Sequence, residues 1–130
     1  MKTIEIATRS KEDMIDITVP VRDALGALGP GAAACLVYVP HTTAGLTINE
    51  NADPSVPLDI LMALKKTVPD SLPYSHAEGN SPAHVKAGLL GSSVLVPIKE
   101  GRLALGTWQG IFFCEFDGPR RRKVHIRLLG

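Results

Sequence analysis

Two stretches of this chain concentrate side chains able to move protons or hold charged groups. The first, His41-Thr42-Thr43-Ala44-Gly45-Leu46-Thr47-Ile48-Asn49-Glu50-Asn51-Ala52-Asp53, sets an imidazole, three hydroxyls, two amides and two carboxylates directly after an apolar run. A histidine at the mouth of a buried strand is held by a rigid scaffold and still meets solvent. His41 can therefore serve there as a general base, a phosphate contact or a metal ligand, against the plainer role of bonding loop carbonyls. Asn49 and Glu50 offer oxygen atoms to a hard cation or a substrate amine. Asp53 has a structural role available as well, because an aspartate before Pro54 suits the start of a helix.

The second stretch carries His76, Glu78, Asn80 and His84. Asn80 and His84 lie four apart, a spacing that converges on one helix face when Asn80 sits at the cap, with free helix N–H groups near to receive an anion. His76-Ala77-Glu78 has the His-x-Glu form of zinc nucleobase deaminases, but no Pro-Cys-x-x-Cys follows, so two ligands are lacking. His41, His76 and His84 together form a candidate three-histidine metal set, for zinc or another transition metal, with magnesium the cation suited to the oxygen ligands. Arg120-Arg121-Arg122-Lys123 is the basic run. It reads as a solvated turn or, with Arg120 or Arg122 folding back, as a bidentate phosphate contact. No P-loop, dinucleotide fingerprint, His-Glu-x-x-His or Gly-x-Ser-x-Gly elbow is present.

These groups need elements to position them. Alternation over residues 3–9 and 14–19 predicts an opening hairpin; Thr18, Pro20 and the stripe Val21, Leu25, Leu28 predict a short helix stopped by Gly29-Pro30-Gly31. Residues 32–39 are apolar on both faces and read as a central strand covered on both sides, ended by Pro40. Leu46 and Ile48 imply a further short strand. A helix from Asp53-Pro54 buries Ile60, Leu61, Leu64 and Val68, and residues 69–81 form a long loop of the kind that usually serves a function. Ser81-Pro82 opens a helix with Val85, Leu89 and Leu90 inward and Gly91 at its end. Strands follow at 94–98, 103–105, around Trp108 to Phe116, and at 124–128, with turns at Lys99-Glu100-Gly101 and Asp117-Gly118-Pro119. The expected architecture is a single α+β domain over residues 1–130, dominated by antiparallel sheet. It has about eight short, sandwich-like strands and two or three inserted helices.

Composition bounds the partners. Apolar residues make up 45% and charged residues 21%, as in a soluble globular domain, and 14 basic against 13 acidic residues leave a net charge of +1. No global field draws the chain to nucleic acid or an anionic membrane, and six aromatic residues, mostly in apolar strands, are too few for a base-stacking surface. No window approaches a membrane span, and Met1 to Glu5 lacks an apolar leader core, so a cytoplasmic protein is expected. Cys35 and Cys114 sit in apolar runs and read as buried thiols.

The block from His41 to Pro54, the block His76-x-Glu78-Gly79-Asn80-x-x-x-His84, and Gly106-Thr107-Trp108-Gln109-Gly110 with Glu115-x-Asp117-Gly118-Pro119-Arg120 resemble the YjbQ-like family, also called secondary thiamine-phosphate synthases. The resemblance covers nearly the whole chain. It implies a homotrimer that acts on phosphorylated small molecules, weakly joining hydroxymethylpyrimidine diphosphate to thiazole phosphate with release of pyrophosphate. Carried over, it implies His41, Glu50, Asn80 and His84 as catalytic, and Thr42, Thr43, Asn49, His76, Glu78, Trp108, Gln109 and Arg120 as substrate-binding. The alternatives are a histidine-based metal-binding protein or metal-dependent hydrolase, and a trimer that binds a metabolite without catalysis.

Overall fold

The computed structural model describes residues 1–28 and 30–130. Among them run β1 (Lys2–Ala7), β2 (Asp13–Asp16), α1 (Thr18–Leu28), β3 (Ala34–Tyr38), β4 (Ala44–Glu50), α2 (Ser55–Thr67), α3 (Ser81–Leu90), β5 (Ser93–Lys99), β6 (Arg102–Leu103), β7 (Gln109–Glu115) and β8 (Arg121–Leu129). The strands form a five-stranded sheet, β1-β8-β3-β5-β6, and a three-stranded sheet, β2-β7-β4. All pairings are antiparallel, so the α+β, sheet-dominated class read from the sequence is the observed one.

Side-chain alternation on β7 explains the layering. Ile111 and Phe113 point into a core shared with Leu46, Val37, Val96, Val124, Ile126 and the buried stripe Val21, Ala24 and Leu25 of α1. Phe112 and Cys114 point the other way, into a second core with Met14, Phe116 and Ala83 and Ala87 of α3, flanked by Ile60, Leu61 and Leu64 of α2. Period-two alternation therefore buries β7 on both faces. That role was expected of residues 32–39. β3 is indeed central in its sheet, yet only one of its faces is fully buried: Cys35 and Val37 are inside while Ala34 and Leu36 are partly exposed and Tyr38 is exposed.

Other expectations change for local reasons. β1 and β2 form no hairpin: β1 pairs with β8 and β2 with β7, so the chain crosses between sheets after Ala7. Thr18 does not cap α1 by its own side chain. Instead, Asp16 Oδ1 accepts both the backbone N–H and the hydroxyl of Thr18, whose oxygen in turn accepts the N–H of Ile111. The helix stop expected at Gly29-Pro30-Gly31 includes Gly29, outside the described residues.

α3 is turned relative to the expected face. Val85 and Leu89 are exposed, and Pro82, Ala83, Lys86 and Ala87 are inside. The cause is close approach to β4: a Cβ on Gly45 would stand 2.7 Å from the carbonyl oxygen of Gly91 and 3.3 Å from Leu90 Cβ. Small residues must face that contact, which Leu46 N–H fastens by donating to Gly91 O at 3.0 Å.

Candidate functional site

The clamp between β4 and α3 brings the two polar stretches together. His41 and Thr42, just before β4, form one side of an open cavity of about 310 Å³, and His84 with Ala87 and Gly88 of α3 forms the other. His76 joins from the loop, its ring edge-on to that of His84 with centroids 5.4 Å apart. His41 and Thr42 of the first stretch and His84 of the second thus line one cavity.

His41 is held by the backbone. Its Nε2 accepts the N–H of Lys123 at 2.8 Å, so the neutral ring carries its proton on Nδ1. Burial, and next the Arg122 guanidinium, push its pKa below the ordinary 6.5. The lone pair a general base would use is already engaged. Of the roles open to His41 from sequence, general base and metal ligand are the ones this bond disfavours; the ring is instead fixed in orientation, with Nδ1–H free.

Nearby lies a charge pair the sequence reading did not single out. Glu115, fully buried, is bound by Arg122 through Nε at 2.9 and 3.1 Å and again through Nη2, and receives the Thr8 hydroxyl at 2.7 Å. Burial alone would raise the Glu115 carboxyl; the hydrogen bonds from Arg122, Thr8 and the Asp117 N–H outweigh it and hold the pKa below the usual range. Arg122 Nη2 also donates to Thr43 Oγ1 at 2.9 Å. Arg122 and Thr43 therefore serve the interior, not a phosphate or substrate. A signal was available: Glu115 and Arg122 are charged residues at positions of β7 and β8 where alternation points inward.

Asn80, Glu78 and Lys86 line a separate cavity of about 250 Å³ on another side of α3. Asn80 is the cap residue of α3, but its side chain makes no cap bond. Its Nδ2 donates to Asp117 Oδ2 at 3.1 Å, and its Oδ1 is buried without a partner. Asp117 also holds Arg120, which donates to its carboxylate at 3.1 Å and to its backbone oxygen at 2.9 Å. Lys86, 2% exposed, is paired with Glu12 and lies 5.7 Å from the centroid of the Phe116 ring.

Asn49, Glu50, Trp108 and Gln109 stand elsewhere. β4 and β7 pair from Ala44 opposite Glu115 to Glu50 opposite Gln109. Six residue steps of strand, about 20 Å, separate Glu50 from the His41 end. At that far end Trp108 is 63% exposed, Gln109 Oε1 accepts the Gly106 N–H, and Asn49 Oδ1 accepts the Glu50 N–H. Asp53 there stands one residue before the cap position Pro54 of α2 and accepts the N–H of Ser55 at 2.9 Å and its hydroxyl at 2.7 Å, and these bonds lower its pKa.

A three-histidine metal set does not fit this geometry. Among the described residues no group of three or more His, Cys, Asp or Glu side chains is placed to hold a metal ion, and His41 Nε2 already accepts a backbone proton. Cys35 and Cys114 are free and buried, and burial pushes the Cys114 thiol to about 12, so both behave as core residues.

Fold and cavity define a small two-sheet α+β protein with a histidine-lined cavity between a strand and a small-residue helix. The sequence profile described as UPF0047 protein YjbQ-like matches residues 2–130, and the chain belongs to that family. It is 49% identical over 131 residues to the UPF0047 protein YugU of Bacillus subtilis, covering 100% of this chain and 99% of that one. A UPF0047 protein of Methanocaldococcus jannaschii is 48% identical, covering 97% and 91%. The crystal structure of an uncharacterized conserved protein of the YjbQ/UPF0047 family from Clostridium acetobutylicum superposes with a TM-score of 0.96 at 50% identity, covering 99% of this chain and 100% of that one. Among the described residues no helix is long and apolar enough to cross a membrane.

Proposed function

We propose that the cavity between His41 and His84 binds a phosphorylated small molecule and that the protein is a transferase, with thiamine phosphate formation the reaction to test. The observation that carries this reading is the convergence of His41, Thr42 and His84 on one cavity. In that reaction the thiazole nitrogen attacks the methylene of the pyrimidine diphosphate. A C–N bond forms, the C–O bond breaks, and diphosphate leaves with the bonding electrons. The chain's contribution is to orient the partners and stabilise the departing anion. His41 offers Nδ1–H because Nε2 is engaged, and His84 supplies a second imidazole on the other side of the cavity. Magnesium enters as the counter-ion of the diphosphate substrate, and no step is assigned to a resident metal.

Glu50, Asn49, Trp108 and Gln109 enter this proposal only through assembly, since their own chain sets them at the other end of β4. A homotrimer is supported by the open outer face of the five-stranded sheet, where Tyr38, Leu95 and Leu129 are exposed, and by the exposed Trp108. A cytoplasmic location accords with two free thiols.

The test is thiamine phosphate formation from hydroxymethylpyrimidine diphosphate, thiazole phosphate and magnesium, with a His84→Ala control. Turnover lost in the control supports the reading, and equal product from both proteins removes it. Stoichiometric zinc in untagged protein would favour the metal-binding alternative. A co-purifying metabolite that is never turned over would favour the binding trimer. Light scattering reads the oligomeric state.

A further inference from the structure

A cavity of about 450 Å³ lies away from the histidines and has no role in the function proposed above. Its walls are Arg22, Leu25 and Gly26 of α1 and Gly101, Arg102 and Leu103 of the β5–β6 hairpin. Ser92 lines the histidine cavity at the start of β5, and this cavity opens at the strand's other end, about 20 Å along it.

Two features of the backbone open the space. Gly26 lies within the helix, and a Cβ built there meets no atom within 4 Å. Glu100 and Gly101 both adopt positive φ, 53° and 76°, giving the tight two-residue turn that brings Arg102 back opposite Lys99.

The charge is one-sided. Lys99 and Arg102 are direct cross-strand partners, a like-charge pairing that destabilises a ladder, and Arg22 adds a third cation from α1. Among the described residues the ion pairs are Lys86–Glu12, Arg120–Asp117 and Arg122–Glu115; Asp23 and Glu100, next in sequence to these cations, form none with them. Beneath lies apolar surface, Leu25 and Leu103. It continues into an adjoining cavity that shares Leu25, Gly26 and Gly101 and reaches Ile98 and Leu128.

We propose that this cavity binds a small molecule carrying an anionic group on an apolar body, the anion set between Arg22 and Arg102 and the body against Leu25 and Leu103. An anion there relieves the repulsion among the three cations and forms charge-assisted hydrogen bonds with guanidinium groups. The site is independent of any transferase activity.

Phenyl phosphate is the probe, titrated into the full chain and followed by backbone amide shifts, with inorganic phosphate and benzyl alcohol as separate arms. Phenyl phosphate is expected to move amides of residues 22–26 and 101–103 and to bind more tightly than either arm. Arg22→Gln with Arg102→Gln weakens it by about tenfold or more and reduces its salt dependence to what Lys99 alone supplies. Gly26→Leu fills the cavity and abolishes binding, with the melting temperature unchanged or raised because leucine is the better helix former. Arg22 and Arg102 are exposed, so the double variant keeps the fold, and its amide spectrum verifies this. Absence of shifts at about 10 mM probe overturns the site. So does undiminished binding in either variant. Equal binding of inorganic phosphate overturns the apolar component, and equal binding of benzyl alcohol the anionic one.

Discussion

The two ends of the three-stranded sheet carry polar residues in opposite ways. At the near end Glu115 and Arg122 are 0% and 2% exposed and satisfy each other, with Thr8 and Thr43 completing the set, while His41 and His84 are left at the cavity. At the far end Asn49, Gln109 and Asp53 take short-range backbone partners and Trp108 stands in solvent. Charge is thus invested in the fold at one end and left at the surface at the other. Breaking the near end should be expensive. Arg122→Met leaves Glu115 buried and unpaired, and denaturant unfolding should show a loss of about 3–5 kcal/mol. The pH dependence should also reverse. In the native protein the depressed Glu115 pKa contributes stability that is present above the ordinary glutamate range and lost as pH falls through the lower folded value. Without Arg122, desolvation raises that pKa, so the variant should become more stable toward acid pH, and a wild-type-like slope would show that the pair is not the source.

A smaller effect should come from the clamp that joins the near end to α3. Gly45→Ala sets a methyl group 2.7 Å from the Gly91 carbonyl oxygen, a contact with backbone that a side-chain rotation cannot relieve. Overpacking of this kind costs about 1–3 kcal/mol, read as a lowered urea midpoint. Because α3 carries His84, ligand binding in the histidine cavity should weaken as well. A variant that loses neither would mean that α3 moves away without consequence for the site.

The same contrast explains what the sequence made legible. Strand alternation and the turns between strands revealed the antiparallel α+β class and the inward face of β8, and the density of polar side chains marked the two stretches whose histidines, His41 and His84, line one cavity. The pairing of β1 with β8 rather than β2 was hidden, because alternation gives a strand's faces and not its partner. Val85 and Leu89 misled because hydrophobicity ranks them inward, whereas close backbone approach selects Ala83, Ala87 and Gly91. Glu50 and His41 fall in one stretch of sequence and were both expected to be catalytic, yet a seven-residue strand sets them apart. Arg122 looked like part of a solvated basic run, and only the alternation of β8 marks it as an inward residue.

His41 should show a more modest effect, with a defined sign. Its pKa is lowered by burial and by Arg122, so the unfolded chain takes up a proton before the folded one does. The stability it contributes is complete above 6.5 and declines as pH falls below that value. Comparing urea midpoints at about pH 7.5 and about pH 5, His41→Gln should show a shallower decline than the native protein. Protonation leaves the ring no acceptor for the Lys123 N–H, so an unchanged slope would mean that this bond contributes nothing to stability, and the orienting role assigned to His41 would fall with it.

The smallest effect belongs to the far end. Trp108 is the chain's single tryptophan, so its fluorescence reports that end alone. In the isolated chain it is 63% exposed, and Trp108→Ala should change the stability of dilute protein by no more than about 0.5 kcal/mol. Its emission should shift little on unfolding. If a neighbouring copy covers the indole, emission should move to the blue as protein concentration rises, and the cost of the alanine substitution should grow with it. Concentration dependence at Trp108, with none in the Arg122→Met defect, would make the far end an intermolecular surface and the near end an intramolecular one. The two ends would then differ in which chain satisfies them, which is the condition under which Glu50 and Gln109 can reach a histidine cavity at all.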